Sequence, residues 1–306
     1  YLSIPEIIRV AKMCGADAIH PGYGLLSENP DFVDACEEAG IKFIGPKAET
    51  MRKLGDKASA RRVAMEAGVP VVPATDVLPD DMNKVRQMAE EVGYPFMLKA
   101  SWGGGGRGMR PIMDASELEE KVLEGRREAE AGFGNGEGYL ERLVERARHV
   151  EVQILGDSFG EIYHLYERDC SVQRRNQKVV ERAPAPYLTE EQRSEICSLG
   201  RKICAHVGYE CAGTVEFLMD MDTEEFFFIE VNPRVQVEHT VTEEVTGIDI
   251  VRAQIKIAEG KTLARSTGAN SQADIKLNGH ALQTRITTED PQNNFIPDYG
   301  RISAYR

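Results

Sequence analysis

Two apolar segments at 213–218 and 226–231, joined by a short polar linker, restrict the fold of this chain more than any other feature of its sequence. Short segments rich in β-branched and aromatic residues on either side of a turn predict an antiparallel β-hairpin. With the turn centred on Thr223, Glu216 and Glu230 lie opposite each other. Because facing carboxylates repel, we favour a divalent cation between them, Mg²⁺ shared with phosphates. The alternative is a pair of solvated carboxylates on an outer face.

The residues that follow the hairpin extend this candidate site. Polar residues occur there at every second position: Glu230, Asn232, Arg234, Gln236 and Glu238. An extended chain would place all five on one face, and Pro233 favours an exposed lip rather than a central strand. A cation, an amide and a carboxylate beside a metal could bind and deprotonate a small oxyanion. A solvated edge strand would show the same alternation, so both interpretations stay open.

A glycine-rich run at 103–108 follows the apolar segment 95–100 and suits close approach of backbone amides to phosphate. Its spacing matches the dinucleotide pattern G-x-G-x-x-G, but that motif opens directly into a helix. Here an extended segment, 109–112, comes next, and we expect a helix only near Ser116, with a capping box to Glu119. No Lys-Ser/Thr pair follows, as a P-loop requires. The run therefore predicts a glycine flap between two strands, with a simple turn as the alternative.

The order of predicted elements indicates an α/β chain that continues as α+β. Helical and strand-like segments alternate over 1–74, with a last strand predicted at 69–72, and this alternation predicts a parallel layer. Residues 75–144 have a strand–loop–strand–helix character, and strands predominate over 145–306. The polar segment 261–274 is predicted to be a connecting loop.

Composition excludes some classes of function. The formal net charge is −13, from 37 Lys and Arg against 50 Asp and Glu, which argues against general binding to nucleic acid or to anionic membranes. No apolar run approaches the roughly 20 residues that span a bilayer. Six cysteines without C-x-x-C spacing indicate reduced thiols in a cytosolic setting. One basic stretch, 168–178, is either a solvated face or a countercharge for a nucleotide.

Taken together, these motifs resemble the ATP-grasp biotin carboxylases over essentially the whole chain. The segments that carry the resemblance are His20–Glu28, Gly55–Lys57, Lys99 before the glycine run, Arg148–Glu151, 171–186 and 230–239. The closing segment, 287–306, is similar to the pyruvate carboxylase branch, of bacterial type, and differs from the acyl-CoA carboxylases. Family members also have a βα unit before the position of Tyr1 and continue past Arg306, so we expect the chain to be a truncated piece.

The resemblance implies an ATP-grasp fold with three parts. They are a truncated Rossmann-like N-terminal layer (1–74), a lid with the glycine flap (75–144), and a mostly antiparallel core that leads into the C-terminal subdomain (145–306). It also assigns roles by matching position. ATP would contact Lys57, Lys99, Gly104, Gly105, Gly106, Glu141, Val144, His149, Gln173 and Asn176. The metal ligands would be Glu216 and Glu230, with Asn232 beside them, and the bicarbonate pocket would be Lys178, Arg234, Gln236, Val237 and Glu238.

The implied reaction is carboxylation of biotin with bicarbonate and ATP, through carboxyphosphate. Glu238 would be the general base, Lys178 a catalytic cation, and Arg285 and Arg234 would stabilise the biotin enolate. The implied cofactors are ATP, Mg²⁺ or Mn²⁺, and biotin on a separate carrier domain. The implied partners are that carrier, a carboxyltransferase domain and further copies of the chain, in the cytoplasm. The alternatives are an acetyl- or propionyl-CoA carboxylase component, a carbamoyl-phosphate-synthetase-like ligase, and a non-catalytic ATP-binding module.

Overall fold

The computed structural model describes residues 1–101, 109–174, 177–301 and 304, and its N-terminal part has the predicted α/β character. The elements there are α1 (Ile4–Cys14), β1 (Ala18–Ile19), α2 (Pro30–Glu38), β2 (Lys42–Phe43), α3 (Ala48–Gly55) and α4 (Lys57–Glu66). Strands β1 and β2 pair in parallel, as predicted. The strand predicted at 69–72 is not formed. Because prolines at 70 and 73 lack N–H donors, only Val71 makes an isolated bridge, with Phe228.

The middle part is a small antiparallel sheet covered by helices. Its elements are α5 (Met82–Val92), β3 (Phe96–Ala100), β4 (Arg110–Ile112), α6 (Leu118–Phe133) and β5 (Gly138–Arg142), with the sheet order β4-β3-β5. Helix α5 is missing from the predicted pattern; Asp81 caps it by accepting a hydrogen bond from Asn83 N. The prediction of a capping box from Ser116 to Glu119 is wrong. The hydroxyl and the backbone N–H of Ser116 both donate to Asp114 instead.

The remaining residues build a six-stranded antiparallel sheet with its helices and a separate two-stranded sheet. The elements are β6 (Ala147–Gly156), β7 (Ile162–Arg174), β8 (Gln177–Ala183), α7 (Glu190–His206), β9 (Cys211–Asp220), β10 (Phe226–Asn232), α8 (His239–Thr246), α9 (Ile250–Ala258), α10 (Leu263–Thr267), β11 (Ala281–Thr284), β12 (Glu289–Asp290) and β13 (Ile296–Pro297). The order of the six-stranded sheet is β10-β9-β6-β7-β8-β11, and β12 and β13 form the separate sheet. Segment 261–274 is not the simple loop predicted, because it contains α10, capped by Thr262, and a 3₁₀ turn.

The two faces of this sheet differ in chemistry because side chains alternate along each strand. Towards α7 it presents buried apolar residues such as Val150, Val215 and Phe217, each of which stabilises the fold by about 1.5–3 kcal/mol when fully buried. Towards the opposite side the same strands present Glu151 and Glu216, also buried. The functional residues therefore lie on the face away from α7.

In the part of the chain that the structure describes, no helix has both the length and the apolar character needed to cross a bilayer. All six cysteines are free thiols, and five of them are buried. The strands of the parallel pair, the three-stranded sheet and the six-stranded sheet fall in 1–74, 75–144 and 145–306 respectively. The three-part division stays a proposal that this distribution supports.

Candidate active site

The predicted hairpin is present as β9 and β10, and its register pairs Glu216 with Glu230. A bulge between Phe228 and Glu230 adjusts the second strand just before this pair. Burial raises the pKa of Glu230, and the charge of Glu216 across the ladder raises it further. No hydrogen bond or ion pair joins Glu230 to another described residue. The pair thus presents negative charge that the protein itself only partly compensates.

Lys178, on β8, lies at the centre of a buried ion cluster. Its ammonium contacts the carboxylates of Glu151, Glu216 and Glu238, the last two at 2.7 Å. Burial would lower the pKa of this amine, but the surrounding carboxylates raise it well above its usual value. Lys178 is therefore a permanent cation between the carboxylate pair and Glu238.

Glu238 lies at the start of α8 with a side chain that is only 2% exposed. One oxygen accepts from Lys178, and the other accepts from Arg285 Nη2 at 2.9 Å. Burial would raise the pKa of this carboxyl, but the charges of Lys178 and Arg168 outweigh it and lower the pKa. Arg285 Nε in turn donates to Glu181 at 2.7 Å. The geometry keeps Glu238 ionised and within reach of two cations.

The segment between β10 and α8 differs from the extended lip that the alternation predicted. The strand ends at Asn232, since Pro233 has no N–H to continue the ladder. The chain then turns, and the backbone oxygen of Gln236 accepts from His239 N where α8 begins. Side chains on this segment are buried rather than exposed, including Gln236 at 3%. The five alternating residues nevertheless all line one cavity of about 1050 Å³.

Arg234 connects this segment to the N-terminal part of the chain. Its Nη2 donates to Asn232 Oδ1 at 3.0 Å, and its Nε lies 3.2 Å from a carboxylate oxygen of Glu28. Asn232 Nδ2 donates to Glu216 Oε1 at 2.9 Å. The described residues predicted for the metal and the bicarbonate pocket, including Val237, therefore line a single cavity.

The residues predicted to contact ATP are only partly brought together. Lys57, Lys99, His149 and Gln173 line the large cavity, and His149 Nε2 lies 2.9 Å from Glu216 Oε2. Lys99 forms an ion pair with Glu141 from the neighbouring strand β5. Glu141 lines a small cavity that adjoins Lys57 and Lys99. Val144 lines neither cavity. Gly104, Gly105, Gly106 and Asn176, with the glycine flap, lie outside the described residues.

Sequence reasoning missed residues that hold these groups in place. Glu151 contacts Lys178, Arg168 contacts Glu151, and Glu181 contacts Arg285. Glu151 follows His149 by two positions on one strand, so period-two alternation could have identified it. The basic stretch that contains Arg168 is neither a uniform solvated face nor a uniform countercharge. Arg168 is fully buried, whereas Gln173 and Lys178 line the cavity.

Comparison with known families and proteins identifies what this arrangement is similar to. The family model described as carbamoyl-phosphate synthase L chain, ATP binding domain, matches residues 56–266. The model described as biotin carboxylase, N-terminal domain, matches residues 1–51. Over its whole length the chain is 54% identical to the mitochondrial pyruvate carboxylase of Mus musculus and 52% identical to the pyruvate carboxylase of Bacillus subtilis. It spans 26% and 27% of these two relatives, about a quarter of their length.

Solved structures show the same likeness in three dimensions. A Rhizobium etli pyruvate carboxylase variant with its allosteric activator, acetyl coenzyme-A, has a TM-score of 0.91 and 66% identity, over 100% of this chain and 27% of that one. The biotin carboxylase of Campylobacter jejuni, in a complex with a β,γ-ATP, has a TM-score of 0.89 and 47% identity, over 97% of this chain and 65% of that one. The predicted ATP-grasp fold is confirmed. The chain belongs to the family of the carbamoyl-phosphate synthase L chain ATP-binding domain, preceded at residues 1–51 by a segment that matches the N-terminal domain of biotin carboxylases.

Proposed function

We propose that this chain uses ATP to carboxylate biotin with bicarbonate, as the first half-reaction of a pyruvate carboxylase. The observation that carries the proposal is the position of Glu238. This buried carboxylate is ion-paired with both Lys178 and Arg285 in the same cavity as the carboxylate pair Glu216 and Glu230. An anion pocket with a base thus adjoins a place suited to a metal and phosphates.

The carboxylate pair fits a divalent cation. Glu216 and Glu230 face each other across the ladder as two oxygen ligands. Glu230 has a raised pKa and no ion pair among the described residues, and this arrangement favours a hard cation such as Mg²⁺ or Mn²⁺. Glu216 and Glu230 would hold it, with Asn232 beside them. When bound, such an ion neutralises charge on nucleotide phosphates.

The nucleotide would bind where the three-stranded and six-stranded sheets face the cavity. Lys57 and Lys99 would contact its phosphates, and the glycine flap would close over them. Glu141 and Val144 would contact adenine. His149, Gln173 and Asn176 would lie near the ribose. Positioning and charge stabilisation are the main protein contributions to phosphoryl transfer, and the cations on both sides of the cavity support this arrangement.

Bicarbonate would bind against Lys178, Arg234, Gln236 and Val237. Glu238 removes its proton, and the resulting carbonate oxygen attacks the γ-phosphorus of ATP and displaces ADP, which gives carboxyphosphate. Carboxyphosphate breaks down to CO₂ and phosphate, and the phosphate takes the ureido proton of biotin. Arg285 and Arg234 stabilise the biotin enolate, which captures CO₂. The lowered pKa of Glu238, set by Lys178 and Arg168 against burial, supports its role because the carboxyl is ionised at neutral pH.

Further components complete the proposal. The curated relatives are much longer than this chain, so we infer that biotin arrives on a carrier domain and passes the carboxyl group to a carboxyltransferase domain of a longer protein. We further propose assembly with copies of itself and a cytoplasmic location. Nucleic-acid or membrane partners do not belong to this proposal, since the chain is strongly acidic.

Among the alternatives, a CoA carboxylase component would run the same half-reaction, but eight curated relatives that are 49–54% identical over the whole chain are pyruvate carboxylases. A carbamoyl-phosphate-synthetase-like ligase would show ammonia-dependent turnover instead of stimulation by biotin. A non-catalytic ATP-binding module would have no need for the buried pairing of Glu238 with Lys178 and Arg285.

One assay tests the proposal: bicarbonate-dependent ATP cleavage in the full-length natural chain, with and without free biotin. We expect cleavage that requires bicarbonate and increases with biotin, together with pyruvate-dependent formation of oxaloacetate. Cleavage that requires ammonia, or transfer to an acyl-CoA rather than to pyruvate, would replace the proposal by the corresponding alternative.

A further inference from the structure

Arg168 lies on β7 directly behind the anion pocket, and its side chain is fully buried. A guanidinium carries five N–H donors and no acceptor. All five are used here, each donating over 2.5–3.2 Å to a side-chain oxygen. The acceptors belong to Glu151, Gln153, Thr214, Gln236 and Thr242. Since a buried charge is costly unless paired and hydrogen-bonded, this complete set holds the guanidinium in one orientation.

The first consequence concerns the amide of Gln236, which lines the cavity. Its Oε1 accepts from Arg168 Nη2 at 2.9 Å, and its Nε2 donates to Glu216 Oε1 at 3.0 Å. A guanidinium can face only an acceptor, so the amide cannot turn over without losing both contacts. Gln236 therefore offers the cavity a second N–H of its Nε2, while its Oε1 is engaged by Arg168. An amide fixed in this way discriminates in favour of ligands that accept hydrogen bonds.

The second consequence concerns Lys178, which contacts three carboxylates. One of them, Glu151, has both oxygens occupied: Oε1 accepts from Arg168 at 2.5 Å and Oε2 from Lys178. Arg168 is thus the second cation in contact with Glu151, in a cluster where Glu238 is also paired with Arg285. Because Glu151 cannot rotate without breaking its contact with Arg168, the position of the Lys178 ammonium is fixed as well.

We propose that Arg168 is the positioning residue of the bicarbonate pocket, acting through the amide of Gln236 and, by way of Glu151, through the ammonium of Lys178. It does not touch the anion. It makes the back wall of the pocket a set of fixed hydrogen-bond donors and so selects a small oxyanion. This inference rests on the proposed function and adds to it the origin of the pocket's selectivity.

The test is Arg168→Lys in the full-length natural chain, with steady-state kinetics of bicarbonate-dependent ATP cleavage. A lysine keeps the charge but has three donors on one atom and cannot reach all five acceptors. We expect the KM for bicarbonate to rise about tenfold, equivalent to about 1.4 kcal/mol. The KM for ATP should stay within about twofold, because Arg168 acts on the bicarbonate pocket. A mere loss of folded enzyme would lower the apparent kcat and change neither KM.

Two controls separate positioning from a structural role. Arg193→Lys changes another buried arginine, on helix α7, which covers the opposite face of the sheet, and should lower Tm without a selective change in KM for bicarbonate. The second control is the double variant of Arg168→Lys and Gln236→Ala. Its KM for bicarbonate should rise by less than the product of the two single rises, because the amide that Arg168 positions is gone. Full multiplicativity of the two effects would contradict action through Gln236.

If Arg168→Lys does not fold, Thr242→Val decides the question. It removes one acceptor of Arg168 Nη1 at nearly unchanged volume, and Thr246→Val on the same helix is its matched control. We expect a smaller rise in bicarbonate KM, about threefold, in Thr242→Val alone. An unchanged bicarbonate KM, or parallel rises for bicarbonate and ATP, overturns the inference. Absence of bicarbonate-dependent cleavage in the unmutated protein refutes the proposed function itself, which distinguishes the two failures.

Discussion

Neighbouring residues of β7 place buried charges in two different environments. Arg168 points to the face with the cavity, whereas Glu167 and Asp169 point to the face covered by α7. On the α7 face, Glu167 accepts from Arg193 Nε and from Ala185 N, both at 3.0 Å. We call the first group of contacts the cavity cluster, centred on Lys178 and Arg168, and the second the α7 cluster, centred on Glu167 and Asp169.

The two clusters have similar burial but different surroundings. The carboxylates of the cavity cluster pair with cations that line about 1050 Å³ of open space, where a ligand can replace or add contacts. None of the described residues of the α7 cluster lines that cavity, and their partners belong to β7 itself, to α7, to β8 and to the connection between β8 and α7. Buried charge alone therefore does not indicate function; a buried charge that borders an accessible cavity does.

The largest expected effect belongs to the cavity cluster. Glu238→Gln keeps the shape of the side chain but removes its basicity, and it replaces one of the two acceptor oxygens by an NH2 donor. We expect the kcat of bicarbonate-dependent ATP cleavage, per folded molecule, to fall by about 10²–10⁴-fold, the usual contribution of a general base. Because Lys178 and Arg285 lose a buried anionic partner, Tm should fall as well. The exposed Glu244→Gln on the same helix is the matched control. Unchanged turnover in Glu238→Gln would show that another group removes the proton.

The matching change in the α7 cluster should affect stability instead of activity. Arg193→Met leaves the fully buried carboxylate of Glu167 without its cation, and breaking such a pair costs about 3–5 kcal/mol. We expect this loss in the free energy of unfolding measured with urea. The KM for bicarbonate and the KM for ATP should be unchanged in the folded enzyme. Adding Glu167→Gln removes the uncompensated charge and should recover part of the loss. A selective change in bicarbonate KM would break the distinction between the clusters.

Asp169 gives the α7 cluster a defined pH dependence. Burial would raise the pKa of its carboxyl, but hydrogen bonds from Ser171, Arg182 and Tyr187 lower it. A carboxyl with a lowered pKa in the folded state contributes stability above its unfolded pKa of about 3.9 and loses it as pH falls through the folded pKa. Asp169→Asn should therefore destabilise the protein by about 1–3 kcal/mol at neutral pH, and by less below about pH 4.

Urea unfolding of Asp169→Asn and the unmutated protein across this pH range checks the sign. An equal difference between them at neutral and acidic pH would mean that the contribution of Asp169 comes from packing and not from its charge. Activity per folded molecule should be the same in both proteins at neutral pH, as expected for the α7 cluster.

The hairpin was predictable from sequence because apolar strands flank a polar turn. The predicted pairing of Glu216 with Glu230 is present, but the structure reaches it through the bulge after Phe228 and not through a turn centred on Thr223. The buried turn that replaces the predicted lip was not predictable in the same way. Pro233 indicated that the segment leaves the central ladder, but period-two alternation gives no signal that the chain then turns and that α8 begins at His239. The five alternating residues still converge on the cavity, since a turn and the first residues of a helix brought them back to it.

The supporting residues were harder to predict for a different reason. Arg168 lies in a basic stretch, and a basic stretch is usually exposed; only the pairing of β7 with β6 places Glu151 opposite it and buries both. Glu181 likewise contacts Arg285 across a separation of 104 positions. Non-local pairing decides such contacts. The resemblance to biotin carboxylases supplied Arg285 without this information, and its role remains a proposal.

The smallest expected effect is at an ion pair outside both clusters. Arg86 and Glu119, on α5 and α6, form an ion pair with side chains that are 50% and 53% exposed. Water and salt screen such pairs, so Glu119→Gln should change the free energy of unfolding by less than about 1 kcal/mol. Thermal unfolding at low and high salt measures this, with Arg193→Met as the buried counterpart. The contrary outcome is that breaking the exposed pair costs as much free energy of unfolding as breaking the buried Arg193–Glu167 pair. In that case burial would not distinguish stabilising ion pairs from surface ones, and the α7 cluster would contribute no more to stability than a surface pair.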